Sequence, residues 1–598
     1  MYASADSINL GNSILQLYLK RTREDFYYPV KFMWIAEIES LNSQRFETCI
    51  IMRLKFIIGA ALLLVLNVNA QEATVFPLSF AHFDELNPAP AVAFGGLNMA
   101  KIQEEDLAQD EAGGMTYFGR VIEQSLHSDV DGMWSELSDG SKVWRIALES
   151  ENAMGMAVYF NHFEMPDGGS LFVYDESLRQ LDGPYTSAQM NNHGRYLTGT
   201  IIGSKIILEY NQPAYANGLP EFDIKGIGHF YRYIYDYSNE EEARGGSEAC
   251  EVDVACPEGD NWQEEKDAVV RLQITDGQFI GLCSGVLVNT TARDCRPYLL
   301  SALHCTIGVS DADFGFLQVR FNYSRPLCGS GFFPTNRNVT GVTHLADSND
   351  GGGENGSDFV LLEIEDEIPS GWTPFFAGWR ASNSGSTSGV TIHHPAGDVK
   401  KISTYASALQ SIWLGAPGSH WGVQWVETVT NHGVTEGGSS GSPIFDSNKK
   451  VIGTLTGGNS FCASPNSQDY YGKMSYHWLN NPNPANEKLK VWLDPLNTGE
   501  MEIEGSYVPC ENQVGVENTP EMQNVLSLYP NPGNGVFSFK TDKAVAGLDV
   551  VDARGVLVFS TGALTQNQID LSQLPAGIYI VTLHFVDGLQ QSGRISKL

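Results

Sequence analysis

The stretch GVTEGGSSGSPIFD (433–446) sets Ser439, Ser440 and Ser442 among Gly437, Gly438 and Gly441. Glycine and serine are common in turns, so a polar loop between two strands is one reading. The other is that one serine attacks a substrate. Such a serine needs a base, a group that orients the base, and backbone N–H donors for the oxyanion that forms. A base is offered by PYLLSALHC (297–305), where an apolar strand gives way to a loop at His304. His393 and His394, in VTIHHPAGD, compete for the role. A disulfide at Cys305 would fix the backbone beside the His304 imidazole, and a base held in one orientation is what catalysis needs. In NGSDFVLLEIEDE (355–367), Asp358 stands just before a hydrophobic strand. It reads either as a strand-initiating aspartate satisfied by backbone or as the carboxylate that holds the imidazole tautomer. The chain order His304, Asp358, serine is one of three recurring solutions and belongs to a two-barrel β fold.

These groups must be positioned by a chain of 598 residues, enough for about four domains at ~150 residues each. Short Val/Ile/Tyr/Phe runs punctuated by Gly, Asn, Asp and Pro predict mainly β structure. The formal charge is −34, from 37 basic and 71 acidic residues, with no basic footprint for nucleic acid. MRLKFIIGAALLLVLNVNA (52–70) has a basic start, a short apolar core and a small-residue exit, the pattern of a signal peptide cleaved after Ala70. Met52 then reads as the true start, and 1–51 as an upstream extension set aside from the fold. Residues 71–244 carry no cysteine; KVWRIALES, GMAVYFNHFEM, GSLFVYDE and KIILEYNQP read as strands of a β-sandwich. The acidic stretch around 235–250 reads as an exposed linker. All eight cysteines downstream of the signal fall within 245–510, an even number on an exported chain, so disulfides are expected. No pair has CxxC spacing for zinc, and DSNDGGGENGSD (347–358) lacks EF-hand spacing for calcium. No metal or other cofactor is expected. A second linker is read at 511–524, followed by a cysteine-free, strand-rich region at 525–598.

The flanks LSALHC, GSDFVLLEI and GSSGSP resemble the chymotrypsin-type serine proteases. ACEVDVACPEGDN (249–261), IHHPAGDVKKIS (392–403), GVTEGGSSGSPIF, TGGNSFC (456–462), DYYGK (469–473) and WLDPLNTG (492–499) resemble, in order, their bacterial lysyl endopeptidase branch. That resemblance covers 245–510. It implies a two-barrel protease domain in which Ser440 is the nucleophile, His304 the base and Asp358 its partner. It implies that the Gly438 and Ser440 amides form the oxyanion hole; glycine at 438 can take φ > 0 and turn its amide inward. Ser442 then reads as a packing serine. The resemblance implies the disulfides Cys250–Cys462, Cys256–Cys328 and Cys283–Cys305, leaving Cys295 and Cys510 to pair with each other.

Asp469 matches the aspartate that receives a basic side chain, with Gly457, Gly458 and Trp425 around the cleft. The expected reaction is hydrolysis of protein or peptide substrates after Lys, with Arg as the open second choice. Two departures stand out. Ser439 replaces the aspartate that pairs with a new N-terminus in the pancreatic branch, so no such ion pair can form. Thr456 stands where the lysyl endopeptidases carry histidine, which leaves fine substrate preference open. The sandwich at 71–244 resembles the pro-region of secreted proteases, with maturation between Arg244 and Gly245. YPNPGNG (529–535) and DLSQLPAGIYIVTL (570–583) resemble the C-terminal sorting domain of the type IX secretion system, which implies the outer-membrane export machinery as a partner and release to the surface or medium of a Gram-negative bacterium. A monomer is expected. The rival readings are a catalytically inactive binding or adhesion protein on a protease fold, and a protease of different preference.

Overall fold

The computed structural model describes residues 76–598 except 112–113, 188–193, 233–245, 332–336, 486, 508–527, 530–532, 542–544, 553–556, 563–566, 576, 586–589 and 598. The apolar run at 52–70, Arg244, Gly245 and Cys510 therefore lie outside the described residues. Among the described residues, no helix is long and apolar enough to cross a membrane.

The N-terminal region contains α1 (Met99–Glu111), β1 (Tyr117–His127), β2 (Lys142–Ser150), β3 (Gly155–Glu164), β4 (Ser170–Asp175), β5 (Lys205–Gln212) and β6 (Glu221–Phe230). β2, β5 and β4 are neighbours in one sheet, and β1, β6 and β3 in another. The two sheets close over an aromatic core that includes Trp144, Phe160, Phe163, Tyr210 and Phe222. PDGG (166–169) forms a turn between β3 and β4: Gly169 N donates to Pro166 O over 2.9 Å, and Gly168 sits at φ +86, where a side chain would be strained. α1 is an addition to the all-β expectation. Its buried face holds only Ile102 and Asp106, one turn apart, so an apolar periodicity was not there to be read.

The next region is a β barrel. It contains β7 (Val269–Asp276), β8 (Phe279–Leu287), β9 (Tyr298–Ser301), β10 (Gln318–Arg320), β11 (Asn338–Thr340), β12 (Val342–Asp347) and β13 (Val360–Ile364). β1 of the N-terminal region pairs with β8, so the two regions share one 12-stranded sheet. They also share a core in which Phe118 and Tyr159 meet Ile280 and Phe316. The third region runs β14 (Gly389–His393), β15 (Lys401–Tyr405), β16 (Gln410–Leu414), β17 (Ala416–Val423), β18 (Pro443–Asp446), β19 (Val451–Gly458) and β20 (Asp469–Lys473). Its sheet order is β15-β14-β18-β19-β20-β17-β16. The second and third regions meet at a core that includes Phe359, Leu361, Ile392, Phe445 and Trp379.

The C-terminal region contains β21 (Val545–Asp552), β22 (Leu557–Thr561), β23 (Gly577–Phe585) and β24 (Gln590–Lys597) in the order β22-β21-β23-β24. A smaller sheet of Leu528–Tyr529, Val536–Phe539 and Gln568–Asp570 faces them across a core of Phe537, Leu548, Val581 and Ile595.

Candidate active site

Strand register brings the first two site residues together. β9 and β13 are antiparallel with Ser301 opposite Val360. His304 follows Ser301 by one short 3-10 turn, Leu303–Cys305, and Asp358 precedes Val360, so both fall at the same end of the pair. Asp358 is fully buried, at φ +58. Its two oxygens are divided between one residue's backbone and ring: His304 N donates to Oδ1 over 2.9 Å, and His304 Nδ1 lies 2.7 Å from Oδ2. The amide bond fixes the carboxylate, and the carboxylate fixes the imidazole with Nδ1 as the protonated nitrogen. Burial disfavours the imidazolium, but the Asp358 charge and hydrogen bond outweigh it, and the His304 pKa is raised. Cys283–Cys305 joins the residue after His304 to β8.

His393 and His394 are not available as bases. Both are fully buried. His393 lies 2.8 Å from Ser439 Oγ and 3.2 Å from Ser403 Oγ, and burial pulls it down to about 3. His394 Nδ1 meets Asp398 O over 2.8 Å, and burial again holds it neutral.

The serine cluster is sorted by its surroundings. Ser439 is buried on His393, and its Oγ also accepts from Glu436 N over 3.1 Å. Ser442 is buried too, with its Oγ 3.3 Å from Thr391 Oγ1. Ser440 is half-exposed and opens with His304 onto a cleft of ≈ 1010 Å³.

The loop's carbonyls are tied down behind it. Gly437 O accepts from Ala396 N over 2.6 Å, Gly438 O from Ser284 Oγ over 3.0 Å, and Ser440 O from Ser284 N over 2.8 Å. In a trans peptide the N–H points opposite its own carbonyl, so the Gly438 amide faces away from the Gly437–Ala396 bond. Among the described residues, neither the Gly438 nor the Ser440 amide donates to another group. Gly438 sits at φ +93, and a methyl there would lie 2.9 Å from His394 O. Two free amides beside a half-exposed hydroxyl can bind an oxyanion.

Asp469 begins β20 directly opposite Gly458 at the end of β19. It is fully buried. Its Oδ2 accepts from Trp425 Nε1 (2.6 Å), Thr435 Oγ1 (2.8 Å) and Ser460 Oγ (2.5 Å), and its Oδ1 from Ser460 N (2.9 Å). All four donors are neutral. Burial raises its pKa against the pull of these bonds. Thr435, Gly457, Gly458 and Ser460 line the cleft, with Asp469 behind them. A methyl at Gly458 would lie 1.9 Å from Asp469 Oδ1, so only glycine leaves the carboxylate its place. Trp425 does not reach the cleft; it is 1 % exposed and props the carboxylate from behind. Thr435 and Ser460 carry no local signal of that role. Thr456 has a histidine partner after all: His420 of β17 places Nε2 3.0 Å from Thr456 Oγ1. Burial pulls His420 down to about 4.

The disulfides Cys250–Cys462, Cys256–Cys328 and Cys283–Cys305 are all formed. Cys295 is also disulfide-bonded; Cys510 lies outside the described residues. Cys250–Cys462 ties the segment ahead of β7 to the third region, where Glu248 N donates to Glu436 Oε1 over 2.9 Å, next to the serine loop.

Comparison with known proteins follows the same division of the chain. Residues 244–472 match the family model described as lysyl endopeptidase, C-terminal domain. Residues 527–595 match the secretion system C-terminal sorting domain. A lysyl endopeptidase of Pseudomonas aeruginosa is 28% identical over 299 residues, covering 47% of this chain and 61% of that protein. Among solved structures, the thermostable serine protease AL20 from an extremophilic microorganism aligns at a TM-score of 0.26 and 14% identity, over 35% of this chain and 93% of that one. The HtrA-type protease AlgW with a tripeptide aligns at a TM-score of 0.27 and 14% identity, over 57% and 96%. Residues 244–472 are thus similar to the C-terminal domain of lysyl endopeptidases and residues 527–595 to a secretion-system C-terminal sorting domain, and the chain spans 61% of the length of the lysyl endopeptidase it matches.

Proposed function

We propose that this chain is a secreted serine endopeptidase that hydrolyses peptide bonds on the carboxyl side of lysine. Ser440 Oγ attacks the carbonyl carbon and His304 Nε2 takes its proton. Asp358 holds the Nδ1–H and stabilises the imidazolium. The Gly438 and Ser440 amides bind the oxyanion. His304 then returns the proton to the leaving amine, and water releases the acyl group from Ser440 by the same steps. Asp469 is the anion that receives the lysine ammonium. A compact ammonium needs one buried negative centre reached through hydroxyls, which Thr435 and Ser460 offer at the pocket floor. A guanidinium asks for a wider, bidentate site.

The observation that carries this reading is the His304–Asp358 pair, in which both carboxylate oxygens are spent on one histidine and the only half-exposed serine of the cluster shares its cleft. Residues 71–244 act as a pro-region, released after Arg244 so that Gly245 becomes the new N-terminus. The sorting-domain match supports export to the cell surface or medium, with the export machinery reading 525–598. Digestion of a denatured protein, with cut sites read by mass spectrometry, tests the reading. Cuts confined to the carboxyl side of Lys are expected. Cuts spread over apolar residues, or none from a chain whose disulfides are formed, would defeat it.

A further inference from the structure

The outer face of the N-terminal region carries side chains that peptide hydrolysis does not use. β1, β6 and β3 are adjacent strands. Asp223 of β6 stands directly opposite His127 of β1 on one side and His162 of β3 on the other. Two residues along, Glu221 of β6 stands opposite Glu164 of β3. Alternate residues of a strand share a face, so His162 and Glu164 point the same way, as do Glu221 and Asp223. That face meets solvent: His127, Glu164 and Glu221 are exposed. Between them, Phe163 and Phe222 turn inward, opposite each other in register, and their rings stack with centroids 5.4 Å apart. The buried pair locks the register, because a slip of one residue would bury the charges.

Three ligand atoms converge on this platform. A ring nitrogen of His162 and one carboxylate oxygen each from Glu164 and Glu221 all lie within 4.8 Å of one another. His162 Nε2 is 3.5 Å from Glu164 Oε2. A tetrahedral zinc ion with bonds of about 2.0–2.2 Å holds its ligand atoms about 3.4 Å apart. One pair is therefore already at ligand spacing, and a small rotation of an exposed glutamate brings in the third. The sheet alone does not account for the arrangement, since like charges directly opposite on neighbouring strands are destabilising. Among the described residues, Glu164 has an ion-pair contact only with His162, and Glu221 has none. Asp223, with His127 Nδ1 3.8 Å from its Oδ1, adds negative potential beside them.

We propose that His162, Glu164 and Glu221 form a binding site for a divalent transition-metal ion, zinc by its chemistry, which cross-links the last residue of β3 to the first residue of β6. The imidazole selects a first-row ion over calcium and magnesium, which take oxygen ligands. The two carboxylates balance the charge of the ion, and the ion ends their mutual repulsion. A fourth position is left for water. None of the three ligands lines the cleft of His304 and Ser440, so the ion acts on the stability of the N-terminal region and takes no part in peptide hydrolysis. No spacing motif marks the site, because Glu164 and Glu221 come from strands separated in the chain by β4 and β5.

The test uses the full chain with Ser440→Ala, which removes self-cleavage, stripped with a chelator and titrated with zinc by calorimetry. The strongest zinc-binding step should weaken ~10-fold or more in His162→Gln and in Glu221→Gln, one decade of free energy each. His127→Gln, outside the ligand set, should keep the parent's affinity. Zinc should raise the parent's thermal midpoint, since an ion that binds only the folded chain stabilises it. It should leave the midpoints of His162→Gln and Glu221→Gln in place. Glu221→Lys separates folding from binding: it gives Glu164 a cation, so the metal-free midpoint should stand at or above the parent's while the response to zinc is lost. Unchanged zinc binding in His162→Gln and Glu221→Gln would overturn the inference. So would an equal loss in His127→Gln, or calcium binding as strong as that of zinc.

Discussion

Replacing Asp469 by asparagine keeps the side chain's shape and removes its charge. In the wild-type site four neutral donors converge on the carboxylate, three on Oδ2 and one on Oδ1. An asparagine can turn its carbonyl towards Trp425, Thr435 and the Ser460 hydroxyl. Its amide then faces the Ser460 N–H, and one buried donor loses its acceptor, at about 1–3 kcal/mol of stability. The larger effect falls on the substrate. A lysine ammonium entering the pocket would meet no anion, and breaking a buried charge pair costs about 3–5 kcal/mol. At 1.4 kcal/mol per decade, kcat/KM for a lysyl peptide should fall ~10²–10⁴-fold. The assay compares kcat/KM for lysyl and leucyl peptides in wild type and Asp469→Asn, with labelling of Ser440 by a small phosphonate as control. The lysyl rate should collapse while labelling persists. A fall of less than about tenfold would refute the reasoning, as would equal losses in lysyl cleavage and labelling. Because burial raises the Asp469 pKa, the carboxylate protonates at a higher pH than an exposed aspartate. Lysyl cleavage should therefore weaken on acidification above the ordinary Asp range, and Asp469→Asn should lose that dependence.

Ser440→Ala should abolish turnover, leaving only the small residual that binding and the oxyanion hole supply. Ser439→Ala and Ser442→Ala should give folded, at least partly active protein; phosphonate labelling at Ser442 would refute the assignment. His304 must be neutral to accept a proton, and its pKa is raised by Asp358, so kcat/KM should climb as pH rises through a value above the usual histidine range. Asp358→Asn should shift that limb to lower pH and cost ~10⁴ in kcat; an unmoved limb would show that Asp358 does not set it. Linkage has the same sign: the His304–Asp358 contribution to stability is fully present below the unfolded histidine pKa and is lost as pH rises through the raised folded value. Deleting 525–598 should leave a folded protease region that stays in the periplasm; normal export of the truncated chain would refute the sorting role.

Much of the site was legible in the sequence because local chemistry wrote it there. The glycines around Ser440 announce a turn that needs φ > 0 and room for a substrate. Asp358 stands just ahead of an apolar strand, and His304 just after one, where register alone can align them. The cysteine count announced disulfides, and three of the implied pairs are formed. What the sequence could not decide was which groups meet from afar. Three serines in one loop look alike until His393 takes Ser439 and Thr391 takes Ser442. His420 reaches Thr456 across the one strand between them, β20, and Thr435 and Ser460 converge on Asp469 from separate loops. None of these pairings has a spacing rule. The helix at Met99–Glu111 was hidden because its buried face carries an aspartate instead of an apolar stripe. The joining of β1 to β8 was hidden because an edge strand's hydrogen-bonding groups are the same in every sequence. Side-chain pattern determines that a strand forms and which face it buries; only the folded chain decides which edge it meets, and here that edge borders the cleft.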